Sequence, residues 1–255
     1  MTWIEEARRL LDRIEASQSG AIAEASRICA DAIGSGGVVH TFGSGHSRIP
    51  VEEMFPRYGS FPGFHPIVEL STTFHTQVVG ANGQRQAMFL ERVEGLARQI
   101  WDNFTLRPAD ALMVFSASGN NAVTLEMAAI AREAGLKVVA VTSVAQSMAG
   151  EPRHSSGTRL LDHADVVLDL CTPPGDALCE VDGVDVPVGP GSTLAGVALV
   201  NEVKVRTAER LAAMGRMPAV LTAATVVGAE RSRKLFDEAY LDHAGRAARV
   251  LRSGV

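Results

Sequence analysis

The sequence predicts an α/β protein with a parallel sheet covered by helices on both faces. Three observations carry this. The stretch ALMVFSASGNNAVTLEMAAIAREAGLKVVAVTS, residues 111–143, reads strand, loop, helix closed by Gly135, then strand, which is a βαβ unit. Its strands, with Val38–Phe42 and Asp165–Leu170, are runs without clean alternation, as in strands buried on both faces. Two of them, Val38–Phe42 and Ala111–Phe115, end in a loop of small polar residues that opens a helix.

The remaining elements follow from periodicity. Trp3, Ala7, Leu10, Leu11 and Ile14 share one face of a helix over residues 3–33, continued by Ile22, Ile28 and Ile33 beyond Ser19-Gly20. Gly34-Ser35-Gly36-Gly37 ends it. Arg48–Phe55 is helical in composition, with Pro50 tolerated in a first turn. Pro66–Leu70 is a short second strand. Phe89, Val93, Leu96, Ile100 and Phe104 predict an amphipathic helix over Phe89–Phe104. Ala177–Val188, with Asp182-Gly183 between apolar segments, predicts a hairpin insert. Helices are expected over Leu194–Met214 and from Gly228 to Leu251. There is no solenoid-length repeat and no low-complexity linker, so one domain of 1–255 is expected. It comprises a helical extension at 1–35, an α/β core at 36–215 and a C-terminal helical extension at 216–255.

The totals exclude several classes. With 46% apolar residues, 255 residues can bury a sizeable core. No apolar run reaches the ~18 residues of a membrane span, and MTWIEEARRLLDRIEAS lacks a signal-peptide core. Cys29, Cys171 and Cys179 are expected as free thiols in a reducing cytoplasm. A net charge of −5 without a basic block argues against nucleic acid, but not against an anionic small molecule.

Three loops point at one anion. Gly43-Ser44-Gly45-His46-Ser47 follows the first strand, and the helix it starts has unpaired N–H groups. It is not a dinucleotide loop, because Arg48 stands at the third glycine position, nor a Walker loop, because GK[ST] is absent. The second loop is Ser116-Ala117-Ser118-Gly119-Asn120-Asn121. One N-cap explains one polar residue there, not a row of them. The third is Pro190-Gly191-Ser192-Thr193 at the start of the Leu194 helix, where helix capping is the default explanation. Ligands of open α/β sheets bind beyond the carboxyl ends of strands. Ser44, His46, Ser47, Ser116, Ser118, Asn120, Asn121 and Ser192 are therefore the candidate phosphate- and substrate-binding residues.

The pairing of GSGHS with SASGNN on a βαβ frame resembles the SIS (sugar isomerase) domain, over roughly residues 36–215. RIPVEEMFPRYG is similar to the helix after the first loop in phosphoheptose isomerases and N-acetylmuramic acid 6-phosphate etherases. PGSTLAGVALVNEVKV is more loosely similar to a helix of the etherases. The resemblance implies a three-layer αβα, flavodoxin-like nested parallel sheet, homodimers or higher oligomers, and sites near the subunit interface. Carried over by position, Ser47, Ser116, Ser118 and Asn121 bind the phosphate, although the etherases have Thr or Ser where Asn121 stands.

In an open-chain aldose phosphate the C2 proton is weakly acidic, and a carboxylate or histidine can remove it. Glu53 matches the acid–base glutamate of both families. Glu52 lies about 100° further round the helix and is read as structural. Glu94, in ERVEG, resembles an acidic position of the etherases. His75, in LSTTFHTQVV, is a candidate for proton transfer. His40, in an apolar strand, is read as a buried hydrogen-bonded histidine. Where phosphoheptose isomerases place a late catalytic histidine this chain reads VRTAERL. No metal is expected, and His154 and His163 form no metal motif; no cofactor is expected either.

Three functions remain open. The first is a lyase or dehydratase that takes the C2 proton and expels the C3 group of an amino-sugar 6-phosphate such as N-acetylglucosamine 6-phosphate. The second is an aldose–ketose isomerase, weakened by the missing late histidine. The third is a non-catalytic phosphosugar sensor, disfavoured because residues 1–35 contain no basic recognition helix. A cytoplasmic enzyme acting on a sugar 6-phosphate, without nucleic-acid or membrane partners, is the expectation.

Overall fold

The computed structural model describes residues 2–74, 77 and 83–251. Helix α1 (Trp3–Gly34) begins with a capping box: the Thr2 hydroxyl accepts the Glu5 N–H, and the Glu5 carboxylate accepts the Thr2 N–H. Ser19-Gly20 does not interrupt it. The chain continues through β1 (Val39–Gly43), α2 (Arg48–Met54), β2 (Phe64–Ile67), α3 (Leu70–Thr73), α4 (Gly83–Leu90) and α5 (Leu96–Trp101). Then come β3 (Ala111–Phe115), α6 (Ala122–Glu133), β4 (Lys137–Thr142), α7 (Val144–Met148) and β5 (Val166–Asp169). Strands β6 (Ala177–Cys179) and β7 (Val188–Pro190) precede α8 (Ser192–Ala213), α9 (Ala224–Val227) and α10 (Ala229–Val250).

Strands β1 to β5 form one parallel sheet in the order β2-β1-β3-β4-β5. This is the flavodoxin-like order, whose direction reverses between β1 and β3. Alternate residues of each strand serve opposite faces. Ala111, Met113 and Phe115 of β3 pack into the core under α1, α2 and α8, with Leu10, Met54 and Leu199. Leu112 and Val114 face α5 and α6, meeting Ile100, Val123 and Met127. The architecture is thus three layers, αβα. Helix α1 lies against α8 and β5 of its own chain.

Two expected elements differ. The helix expected over Phe89–Phe104 is broken into α4 and α5 by a turn at 91–95. Gly95 sits at φ +89°, and its N–H donates to both oxygens of the Glu126 carboxylate. That left-handed residue lets Ala97, Ile100 and Trp101 pack on α6 while Phe89 is 68% exposed, so the apolar stripe belongs to two helices. In the insert, β6 and β7 pair antiparallel and Asp182-Gly183 makes a turn, the Val184 N–H donating to the Val181 carbonyl at 3.0 Å, but the connection is longer than that turn and spans residues 180–187.

The sheet end remote from the loops is closed by a buried polar cluster. The Asp110 carboxylate accepts the N–H groups of Val38 and Arg107 and two bonds from Arg249, the nearer at 2.7 Å. Arg249 and Arg246 thereby tie α10 to the sheet, Arg246 donating to the carbonyls of Ile33 and Gly37. His40 is fully buried as expected, with its Nδ1 3.3 Å from His65 Nδ1. Burial favours protonated Asp110, but His40, Arg249 and the backbone donors outweigh it and hold the carboxyl well below its usual range. Burial, then the neighbouring His40, pushes His65 down to about 4.

The unfolded chain protonates His65 near its ordinary value and the folded chain only near pH 4, so acid favours unfolding through that window. Asp110 keeps its stabilising contribution there, losing it only at lower pH. Thermal melts are expected to show a falling melting temperature between about pH 6.5 and 4. In His65→Gln the decline over that range should be smaller; an unchanged slope would remove His65 as its source.

Candidate functional site

The site follows from strand register. Gly43 of β1 lies opposite Phe115 of β3, so the loops after both strands start level at the point where the sheet order reverses. A Cβ on Gly43 would stand 2.6 Å from the Ser47 carbonyl, so only glycine lets the first loop fold back over the strand end. In the second loop Gly119 takes φ +62°, and its N–H donates to Ser116 Oγ at 3.2 Å. Asn121 stands at the N-cap of α6, yet its side chain makes no capping bond; its Oδ1 accepts from Arg153 Nη1 at 3.4 Å.

The third loop closes the opposite wall. The N-terminus of α8 is held by a carboxylate of the chain itself: Asp176 Oδ1 accepts the N–H groups of Gly191 and Ser192, and Oδ2 accepts the Ser192 hydroxyl at 2.6 Å. Asp176 adopts φ +68°, one of two non-glycine residues with positive φ among those described.

Between these loops lies a cavity of about 410 Å³. Of the expected binding residues, Ser44, His46, Ser47, Ser116, Ser118, Asn121 and Ser192 line it. Asn120 is buried behind it, and its amide donates to the Ser147 carbonyl at 3.2 Å, bracing the second loop. Ser192 is already committed to Asp176. No Lys or Arg belongs to the described lining, so an anion there would meet hydroxyls, backbone N–H groups and the α6 terminus.

The expected acid–base residues fall elsewhere. Glu53 is not among the cavity-lining residues. It lies against α8, where Arg57 donates to it at 2.8 Å, Asn201 at 3.3 Å, and Lys204 Nζ stands 3.6 Å away. Burial alone would raise its carboxyl, but Lys204, Asn201 and Arg57 together lower it. Lys204 also donates to the Glu53 carbonyl, at 2.7 Å. Glu94 is also outside the lining and accepts the Ser155 N–H and hydroxyl at 2.8 and 2.6 Å, which pins the loop before Leu160. His75 lies outside the described residues. Glu52 pairs with Arg48 on the outer surface of α2.

Two carboxylates that sequence reasoning passed over do line the cavity, Glu91 and Asp176. Glu91 Oε2 accepts the Ser44 hydroxyl at 2.7 Å, and burial raises its carboxyl above the ordinary range despite that bond. Its sequence signal was hidden, because a continuous helix over Phe89–Phe104 would put it on a polar face. Asp176, in Pro173-Pro174-Gly175-Asp176, looked like turn chemistry only. Gln146 Oε1, buried at the cavity wall, has no hydrogen-bond partner among the described residues.

The family model of the SIS domain matches residues 2–143. The chain belongs to the SIS domain family. The match begins at Thr2, the N-cap of α1, so the family model covers that helix together with strands β1 to β4. Among its relatives are UPF0309 proteins. One from Streptomyces coelicolor is 36% identical over 89% of this chain and 88% of its own length. One from Listeria monocytogenes is 32% identical over 93% and 94%. The chain is thus a UPF0309 member. The fold is similar to that of a phosphoheptose isomerase from Francisella tularensis, with a TM-score of 0.52 and 15% identity over 81% of this chain and 95% of that one. A phosphoheptose isomerase from Neisseria gonorrhoeae gives the same TM-score and identity, covering 80% and 94%.

In this SIS site the second loop is held to its shape by Gly119. A Cβ there would stand 2.8 Å from Thr142 Oγ1 and 3.0 Å from Ser147 Oγ, in a left-handed backbone. Gly119→Ala is expected to destabilise the fold by about 1–3 kcal/mol in urea unfolding.

Proposed function

We propose that this SIS-domain protein is an enzyme that binds a sugar 6-phosphate and removes the proton from C2. The preferred outcome is elimination of the C3 group from an amino-sugar 6-phosphate such as N-acetylglucosamine 6-phosphate. The observation that carries the proposal is the convergence of the three loops on one cavity of about 410 Å³, a volume suited to a small polar ligand. Hydroxyls of Ser47, Ser116 and Ser118 and the N-terminus of α6 suit a phosphate. A carboxylate on the same cavity that is not held by backbone donors, Glu91, suits proton transfer at the other end of the sugar. Holding the phosphate fixes the reacting carbon against its base.

Elimination is preferred over ketose formation on two grounds. A 2-acetamido substituent leaves no C2 hydroxyl to become a ketone, and α8 carries no histidine along its length. Isomerisation of a 2-hydroxy sugar phosphate would use the same C2 deprotonation and is the second reading. Exposed Leu70, Met88 and Phe89 support association of two copies of the chain, which sedimentation of the full chain reads directly; a monomer at micromolar concentration would remove the homodimer.

Proton NMR in D₂O tests the reaction, using N-acetylglucosamine, glucosamine, fructose and heptulose 6-phosphates. Loss of the C2 signal with a new alkene proton from the acetamido sugar is the expected result. Ketose or aldose signals from the others would move the assignment to isomerase. Binding without exchange would leave a sensor. Ser116→Ala and Ser118→Ala should each weaken sugar-phosphate binding about 10-fold or more, as expected for a lost hydrogen bond to a charged group; unchanged affinity would move the phosphate elsewhere.

A further inference from the structure

Glu91 is placed by an unusual anchor. It follows α4, its N–H bonded to the Ala87 carbonyl at 3.0 Å, and its own carbonyl accepts the Val123 N–H in the first turn of α6 at 3.2 Å. The residue is therefore fastened to the helix terminus that faces the cavity. Its side chain points inward and accepts a hydrogen bond from the Ser44 hydroxyl at 2.7 Å. An ordinary surface glutamate would be left on the polar side of a helix; this one is drawn under the first loop because the chain turns at Gly95.

The consequence for Ser44 is direct. A hydroxyl has one proton, and here it is donated to Glu91, so Ser44 offers that proton to no phosphate oxygen. A dianionic phosphate beside the Glu91 carboxylate would also be repelled. The phosphate is therefore directed to Ser116, Ser118 and the α6 terminus, and the sugar carbons to the Ser44–Glu91 side. With Glu53 tied to Lys204 on α8 and Glu94 tied to Ser155, Glu91 is the cavity carboxylate not already occupied by backbone donors; Asp176 holds the α8 terminus.

We propose that Glu91 is the proton-transfer residue of this site, oriented by Ser44 and acting on C2 of the bound open-chain sugar phosphate. This rests on the function proposed above. The Glu91 carboxylate takes the C2 proton; the C–H electron pair becomes the C1–C2 double bond, and the carbonyl pair moves onto O1. In elimination the O1 pair re-forms the aldehyde, the C1–C2 pair shifts to C2–C3, and the C3–O3 bond breaks. The leaving hydroxyl takes the proton back from Glu91 and departs as water. No oxidant or reductant is involved, and the carboxylate is regenerated. Burial that raises the Glu91 carboxyl makes it a stronger base than a solvated glutamate, consistent with this role.

The test compares the full-length wild type with Glu91→Gln and Glu91→Asp, after confirming native circular dichroism for each. Loss of the C2 proton is followed in D₂O by NMR, and binding of the same sugar phosphates by calorimetry. Expected is a rate loss of about 10²–10⁴-fold in Glu91→Gln with binding retained, and an intermediate rate in Glu91→Asp, which keeps a carboxylate. Wild-type exchange by Glu91→Gln overturns the assignment while leaving the enzyme. Wild-type protein that binds but never exchanges overturns the role and leaves a sensor. Wild-type protein that neither binds nor exchanges any of the sugar phosphates overturns the functional proposal itself, and the role falls with it.

Discussion

Unpaired backbone N–H groups at the carboxyl edge of a parallel sheet are the constraint on which the rest of the site depends. Between β1 and β3 the connections depart to opposite faces, so the two loops separate and leave a crevice at the strand ends. Helix N-termini face that crevice, and their first N–H groups have no intrahelical partner. The chain answers this in two ways. At α8 it supplies its own anion, Asp176, which accepts two backbone N–H groups and the Ser192 hydroxyl. At α6 the side chain of Asn121 makes no capping bond and the Glu91 carbonyl takes the Val123 N–H, while the surrounding serines are small enough to let a ligand approach.

This division gives the cavity a direction. Its described walls have no Lys or Arg, so the groups that line it are dipoles, hydroxyls and His46, fixed in place by the loops they belong to, with Arg153 beside Asn121. The rigidity is visible in the packing behind the second loop: Gly119 is pressed against Thr142 and Ser147, and Asn120 is bonded to Ser147. A loop fixed in this way holds its donors before the ligand arrives, so less ordering is needed on binding.

The Glu53–Lys204 pair has a different place in the molecule. Lys204 is 6% exposed, its Nζ is bonded to the Glu53 carbonyl, and burial lowers its pKa while Glu53 counters that fall. The pair fastens α2 along α8, where Pro50 and Gly196 also come close. Since α2 begins directly after the first loop, this contact helps hold that loop over the strand end. Within one chain, Glu53 thus acts on the helix that frames the cavity, at a remove from the cavity itself.

The sequence by itself determined the layers, the parallel sheet and the loops. Buried strands need continuous apolar runs, and a strand-to-helix turn crowded against a sheet end needs glycine, so Val138–Val141, Gly43 and Gly119 announce their positions. The expected loop serines accordingly meet in one cavity. The carboxylate side was decided by tertiary structure. Periodicity through Phe89–Phe104 is equally consistent with one helix or two, because Gly95 acts only through a backbone angle and through its bond to the distant Glu126. That single turn moves Glu91 into the cavity and Glu94 out to Ser155. Likewise Glu53 has a family-like position in its helix, but which neighbour its carboxylate meets depends on α8, about 150 residues away in the chain. Local pattern fixes which face of an element a residue occupies; only packing fixes what stands opposite.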